Sequence, residues 1–280
     1  AQELRLSHET LMVVYLGGLM RDVGMLHIDP VVVKKGSRYT AEEWDALQSH
    51  VLIGRQILDR VQGLNKKIGL AVFEHHERIN GTGYPQGKSG SQLSLEGQII
   101  AMADSANAIF HKKVQPKGYR VKDCLPVLQM VRHIYPADVI NALLRVLNKN
   151  SHPPGRALSD NEVSNRTRFL IVCQKAFSHW FNLIQQFVTQ NFDHLDQQRS
   201  QQLRLMLEQL ESTIRTSGLF SNEFREWLES VVKSKNCESF QDVEYTLLMY
   251  DELAFQFHQL YKITLSISAQ ANDHQAQNRC

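Results

Sequence analysis

Asp22, His50, His75, His76 and Asp104 are the side chains of this sequence best suited to hold a divalent ion. Asp22 and Asp104 each interrupt an apolar segment, LMVVYLGGLMRDVGM and IIAMADSANAIF. A carboxylate in such a place is rare unless it is paired or bound to a metal. His75 and His76 are adjacent, and adjacent side chains on a helix diverge by about 100°. They are therefore expected to serve two neighbouring ions, or one to ligate while the other backs it up; a solvated polar helix end is the competing reading. Two carboxylates with three imidazoles suit Fe, Mn or Zn, and the chemistry such a kit supports is Lewis-acid hydrolysis.

The loop after the histidine pair, NGTGYPQGKSGSQ (80–92), bears on the same question. Gly81 and Gly83 permit close backbone approaches, and Tyr84-Pro85 adds a rigid aromatic edge. Arg78 offers a guanidinium fork for a phosphate. Arg78, Asn80, Gly81, Gly83, Tyr84 and Pro85 are the candidate ligand-facing or partner-facing loop, against the alternative of an ordinary surface turn.

The elements that must position these residues read as all-α. Helices are expected over Leu11–Met25, from Thr40 to about His50, on through Gly54–Val61, and over Lys66–Glu77, Leu95–Phe110, Asp123–Tyr135 and Ala137–Leu147. Thr40 with Glu43 forms a capping-box signature. DPVVVKKGSRY (29–39) is expected to be a loop. A boundary is expected in NKNSHPPGRALSD (148–160), where two prolines and a glycine stop helix continuation. It separates a first domain, 1–150, from a C-terminal helical bundle, 160–270, read as four helices at about 161–190, 196–216, 221–234 and 239–269.

With 280 residues and 42% hydrophobic content, the chain is long enough for two cores. A net charge of +2 gives no reason to expect a nucleic-acid partner. Four dispersed cysteines without a CxxC pair suit a reducing cytoplasm and exclude a disulfide framework. The apolar run 11–28 is long enough to suggest a membrane span, but Arg21 and Asp22 sit inside it, so a buried helix is expected instead.

The sequence resembles an HD-GYP domain, a subgroup of the HD-superfamily metal-dependent phosphohydrolases associated with cyclic di-GMP. The resemblance runs through LGGLMRDVGMLHIDPVVVKKGSRYTAEEWDALQSHVLIGRQIL and AVFEHHERINGTGYPQGKSGSQLSLEGQIIAMADSANAI, and covers roughly residues 4–148. It implies an all-α bundle in which two or three metal ions activate water against a phosphodiester. Asp22 matches the dyad aspartate, His50 the intermediate histidine, His75 and His76 the paired histidines, and Asp104 the late aspartate. Gly83, Tyr84 and Pro85 match the name-giving triplet.

Several positions depart from the family's pattern. Arg21 stands where the dyad histidine is usual, Met25 replaces a lysine expected to meet substrate phosphate, and Asn80 and Asn107 replace acidic residues. The upstream helix that supplies a first ligand is expected to lie before residue 1 or to be absent. A guanidinium has no acceptor and cannot ligate a cation. At about 4 Å and an effective dielectric of about 20, its repulsion of a divalent ion is roughly 8 kcal/mol before screening. Arg21 is therefore expected to form a metal-replacing salt bridge with Asp104, and with Asp22.

The resulting expectation is a catalytically inactive signalling module that binds cyclic di-GMP or a protein partner such as a diguanylate cyclase domain, with no bound cofactor. If metallated, it would take Fe, Mn or another divalent ion. A weak metal-dependent phosphodiesterase and a scaffold without a nucleotide ligand are the alternatives. The C-terminal helices are a candidate homodimer surface.

Overall fold

The computed structural model describes residues 1–36, 39–149, 156–191, 197–234 and 239–277. Ser37 and Arg38, in the expected 29–39 loop, lie outside the described residues, as do 150–155 in the expected boundary and two of the cysteines, Cys237 and Cys280. Among the described residues the chain is all-α, and its only β pairing is an isolated bridge between Asn80 and Ser89. No helix among them is long and apolar enough to cross a membrane. The fold consists of two compact units, Ala1–Phe110 with Val131–Ser151, and His111–Met130 with His152–Cys280.

In the first unit the α-helices are α1 (His8–Met20), α2 (Pro30–Lys35), α3 (Ala41–Gln48), α4 (His50–Asp59), α5 (Lys66–Glu74), α6 (Leu95–Ile109) and α8 (Ala137–Lys149). Helix α5 is the centre. Its sequence KKIGLAVFE is apolar on nearly every side after the first two lysines, and α1, α4 and α6 all pack on it. Val13, Leu58, Ile68, Ala71, Val72 and Ile100 form the core. Burying each of the larger of these contributes about 1.5–3 kcal/mol. The chain leaves α5 at its buried end, which is why the residues that follow are themselves buried.

Helix α1 stops at Met20, short of the expected Met25, and a 3₁₀ turn over Val23–His27 follows. Arg21 and Asp22 thus occupy the joint between two helical pieces. Gly24 makes the joint possible, since a Cβ there would lie 2.0 Å from the His50 carbonyl oxygen. The expected 29–39 loop contains α2, started by the Asp29 side chain accepting from Val31 N–H and by Pro30 in its first turn. The Thr40–Glu43 capping box is present in both directions.

The second unit contains α7 (Leu125–Met130), α9 (Asp160–Asn191), α10 (Gln197–Ser217), α11 (Asn222–Ser234) and α12 (Phe240–Gln277). Leu170, Leu210, Leu228, Val243, Leu253 and Leu260 are among its core residues. His111–Met130 packs with this unit, whereas a single cut at 148–160 assigns it to the first. The reason is tertiary: Asp123 accepts a 2.9 Å hydrogen bond from the Tyr245 hydroxyl, Lys113 pairs with Glu252, and α7 packs on α12.

Candidate metal and ligand site

His50 opens α4 and is fully buried. Its Nδ1 lies 2.6 Å from the Leu47 carbonyl oxygen. A carbonyl only accepts, so Nδ1 carries the proton and Nε2 keeps its lone pair. His75 repeats the arrangement at the end of α5: it is fully buried, with Nδ1 2.6 Å from the Val72 carbonyl oxygen. Both Nε2 atoms are buried without a hydrogen-bond partner. They lie 3.9 and 4.0 Å from the same atom, Oδ1 of Asp22. His76 completes the group, and the ligating nitrogens of the three rings all lie within 4.8 Å of one another.

The adjacent histidines converge, contrary to the divergence expected of a continuous helix. Helix α5 ends at Glu74, so His75 and His76 lie in the turn beyond it and the 100° rule does not apply. Their ring centroids are 4.0 Å apart, and each is within 5.5 Å of the His50 ring. Burial holds all three imidazoles below the ordinary histidine range. His75 is lowered to about 4, and neighbouring histidines and the Arg78 and Arg21 charges add to the effect of burial at His76. All three are neutral at pH 7, the form that ligates.

The carboxylates face a different neighbour. Arg21 Nε donates to Asp104 Oδ1 at 2.8 Å, Nη2 lies 3.2 Å from Asp22 Oδ2, and Nη1 donates to the Gly18 carbonyl at 3.1 Å. One guanidinium bridges both carboxylates, and Asp22 divides its oxygens between Arg21 and the histidine pair. Asp104 stands outside the close histidine group. A cavity of about 240 Å³ opens beside the Arg21–Asp104 pair, walled by Val14, Ile99 and Ile100 and edged by Asn107. Met25 lies in the 3₁₀ turn and brings no charge to the site.

The loop after the histidines is held by Gly83, Glu77 and Glu74, and neither acid is among the expected site residues. Gly83 lets it fold back, because a Cβ there would lie 2.4 Å from Glu77 Cα and 2.5 Å from the His76 oxygen. Tyr84 N–H donates to the His76 carbonyl. Glu77, buried, accepts from the backbone N–H of Gln86 and Lys88 at 2.7 and 3.1 Å. Glu74, also buried, accepts from Ser94 N–H, Ser94 Oγ and Lys88 Nζ. The signal available in the sequence was two acids flanking the histidine pair, in AVFEHHE, at the end of an oily helix.

Arg78, the expected phosphate fork, turns inward. It donates to the His75 and Glu77 carbonyls and to Ser105 Oγ, and its guanidinium lies 5.2 Å from the centroid of the Tyr135 ring. Asn80 accepts from the Thr82 hydroxyl and backbone N–H, and Gly81 takes the left-handed conformation. Both build the turn. Pro85 is exposed. Tyr84 stacks on His76 at 4.6 Å, Trp44 packs edge-on against Tyr84, and Tyr39 packs against Trp44. Trp44 is 42% exposed, so the aromatic row runs from the histidines to solvent.

These donors fit one imidazole-rich ion. Two buried lone pairs without partners, a third imidazole and one carboxylate oxygen form a set that suits Fe, Mn or Zn. The donors for a second ion are not free, since Asp104 and the other Asp22 oxygen are on the guanidinium.

Residues 1–136 match the HD domain family. Over 147 residues the chain is 29% identical to the cyclic di-GMP phosphodiesterase response regulator RpfG of Xanthomonas campestris pv. campestris, covering 52% of this chain and 39% of that protein. It is 34% identical over 134 residues to the 3'3'-cGAMP-specific phosphodiesterase 1 of Vibrio cholerae, covering 48% of this chain and 30% of that protein. A cyclic di-GMP phosphodiesterase of Thermotoga maritima is 25% identical over 148 residues, 52% of this chain and 40% of its own. The chain thus spans less than half the length of each of these relatives.

Proposed function

We infer that residues 1–136, which match the HD domain family and resemble cyclic di-GMP phosphodiesterases, form a catalytically inactive signalling module that binds a cyclic purine dinucleotide. The observation that carries the inactivity is the Arg21 guanidinium bridging Asp104 and Asp22. A two-metal clamp on a phosphodiester needs carboxylates on its ions. Here they neutralise an arginine. His50, His75, His76 and Asp22 Oδ1 would hold at most one ion, which when bound supplies Lewis acidity to a phosphate oxygen. The chain's own contribution is a nook of neutral imidazoles, and an aromatic row of Tyr84 and Trp44 onto which a base can stack. A cytoplasmic setting belongs to the proposal, since the free thiols of Cys124 and Cys173 suit a reducing compartment.

The two unpartnered Nε2 atoms favour a second reading, a slow one-metal phosphodiesterase. Calorimetric titration with cyclic di-GMP and 3'3'-cGAMP, run beside a chromatographic assay of turnover with Mn or Fe added, separates the two. The proposal expects binding with intact nucleotide recovered. Turnover by the wild-type chain rejects inactivity, and absence of binding to either nucleotide rejects the ligand and turns the search to a signalling-protein partner.

A further inference from the structure

Helix α9 carries two apolar rows, one packed into the core of its unit and one that leaves large apolar surface exposed. Val163, Leu170, Phe177 and Ile184 recur every seven residues and pack in the core of the second unit. A second row, Phe169, Val172, Ala176, Trp180, Leu183 and Phe187, runs the length of the helix on the solvent side. At 100° per residue these six positions fall within a sector of about 80°. Phe169 is 56% exposed, Val172 65% and Trp180 55%. On the scale of an aromatic side chain the row exposes on the order of 500 Å². Apolar patches larger than a few hundred Å² mark interaction sites.

The order of residues says what fits there. The row is close to a palindrome about Ser178. Ala176 and Trp180 are each two positions from it, Val172 and Leu183 lie six and five away, and Phe169 and Phe187 are each nine away. We propose that the outer face of α9 pairs with its own copy, antiparallel about a two-fold axis at the level of Ser178. The pairing sets Ala176 opposite Trp180 of the second copy, small against large, twice at the centre of the interface. Val172 then meets Leu183, and Phe169 meets Phe187. A two-fold contact requires such self-complementarity.

Charge selects the direction. The charged residues of α9, Asp160, Glu162, Arg166, Arg168 and Lys175, all lie N-terminal to the axis. Parallel pairing stacks Arg168 and Lys175 on their own copies. Antiparallel pairing lays this half on the uncharged half that carries Gln185, Gln186 and Gln190. The two rows together bury about 1,000 Å², the lower bound for a specific interface, before flanking side chains are counted.

Sedimentation velocity and light scattering of the full chain at micromolar concentration test this. The wild type is expected to be a dimer. Trp180→Glu should weaken association at least ~30-fold, as for a central tryptophan anchor. Ala176→Trp should break it by collision with Trp180, and Trp180→Ala should weaken it by leaving a hole. The double variant Ala176→Trp with Trp180→Ala restores the small–large pair and should restore the dimer. Positions 176 and 180 are exposed, so unchanged circular dichroism is the control for folding; Phe187→Glu, near the end of the row, substitutes for a variant that fails it. A monomeric wild type, a dimer that survives Trp180→Glu and Phe187→Glu, or a double swap that stays monomeric overturns the proposal.

Discussion

The two halves of the candidate site have kept different things. On the imidazole side, His50 and His75 turn buried, neutral Nε2 atoms toward the same Asp22 oxygen. On the carboxylate side, a few ångströms of chain away along Arg21–Asp22, Asp104 and the second Asp22 oxygen are neutralised by a guanidinium. One half still has the electronic character of a metal site, and the other has an internal cation. The contrast teaches that two carboxylates can be satisfied by one guanidinium while the imidazoles beside them keep their lone pairs. On the proposed reading, Arg21 takes the place of a ligand and also supplies a positive charge to Asp22 and Asp104, so these acids remain satisfied.

A third group of acids sharpens the contrast, because Glu74 and Glu77 serve the loop alone. Glu74→Ala should cost about 3–5 kcal/mol of unfolding free energy, since it strands the Ser94 N–H and the Lys88 ammonium at a buried site. Chemical denaturation measures it, and a loss under 1 kcal/mol would deny Glu74 its structural role. Acid should act on the imidazole half next. His75 is lowered to about 4 in the fold from 6.5, so the unfolded chain binds the extra proton between those values. Stability is therefore intact above pH 6.5 and falls by about 3 kcal/mol as the pH drops through 4. Thermal melts from pH 7.5 to 4 of wild type against His75→Ala should show this slope reduced in the variant; equal slopes break the assignment.

Smaller effects separate ion from ligand. A hundredfold excess of Mn²⁺ over its Kd should raise stability by about 2–3 kcal/mol through the histidine nook, and His75→Ala should abolish the shift. A shift that persists in the variant places the ion elsewhere. Trp44→Ala should lower stability by only about 1 kcal/mol, the worth of its edge contacts, while weakening cyclic dinucleotide binding about tenfold, the worth of one stacked base. Unaltered affinity removes Trp44 from the ligand's path.

Much of this was legible in the sequence, and the misses share a cause. The helices, the Thr40 cap and the metal-type residues follow from local pattern, and the conflict between Arg21 and an ion follows from the resemblance to the HD-GYP pattern. Three features needed the third dimension. The histidine pair converges because α5 ends at Glu74, an end that no proline or glycine marks. Arg78 reads as an open fork, yet three carbonyl and hydroxyl oxygens capture it. Residues 111–130 read as part of the first half, yet Asp123 and Lys113 find Tyr245 and Glu252 far along the chain. Periodicity reports which face of an element is buried, and it is silent on which element buries it.

On the proposed reading, Arg21 occupies the role of an ion. Metal content by mass spectrometry, on chain reconstituted with Mn²⁺ or Fe²⁺, tests it most directly when wild type is set beside Arg21→His. No more than one ion is expected per wild-type chain and one more in Arg21→His, with Asp104 released to the metal. Two ions in the wild type, or a stoichiometry unchanged by Arg21→His, would contradict it.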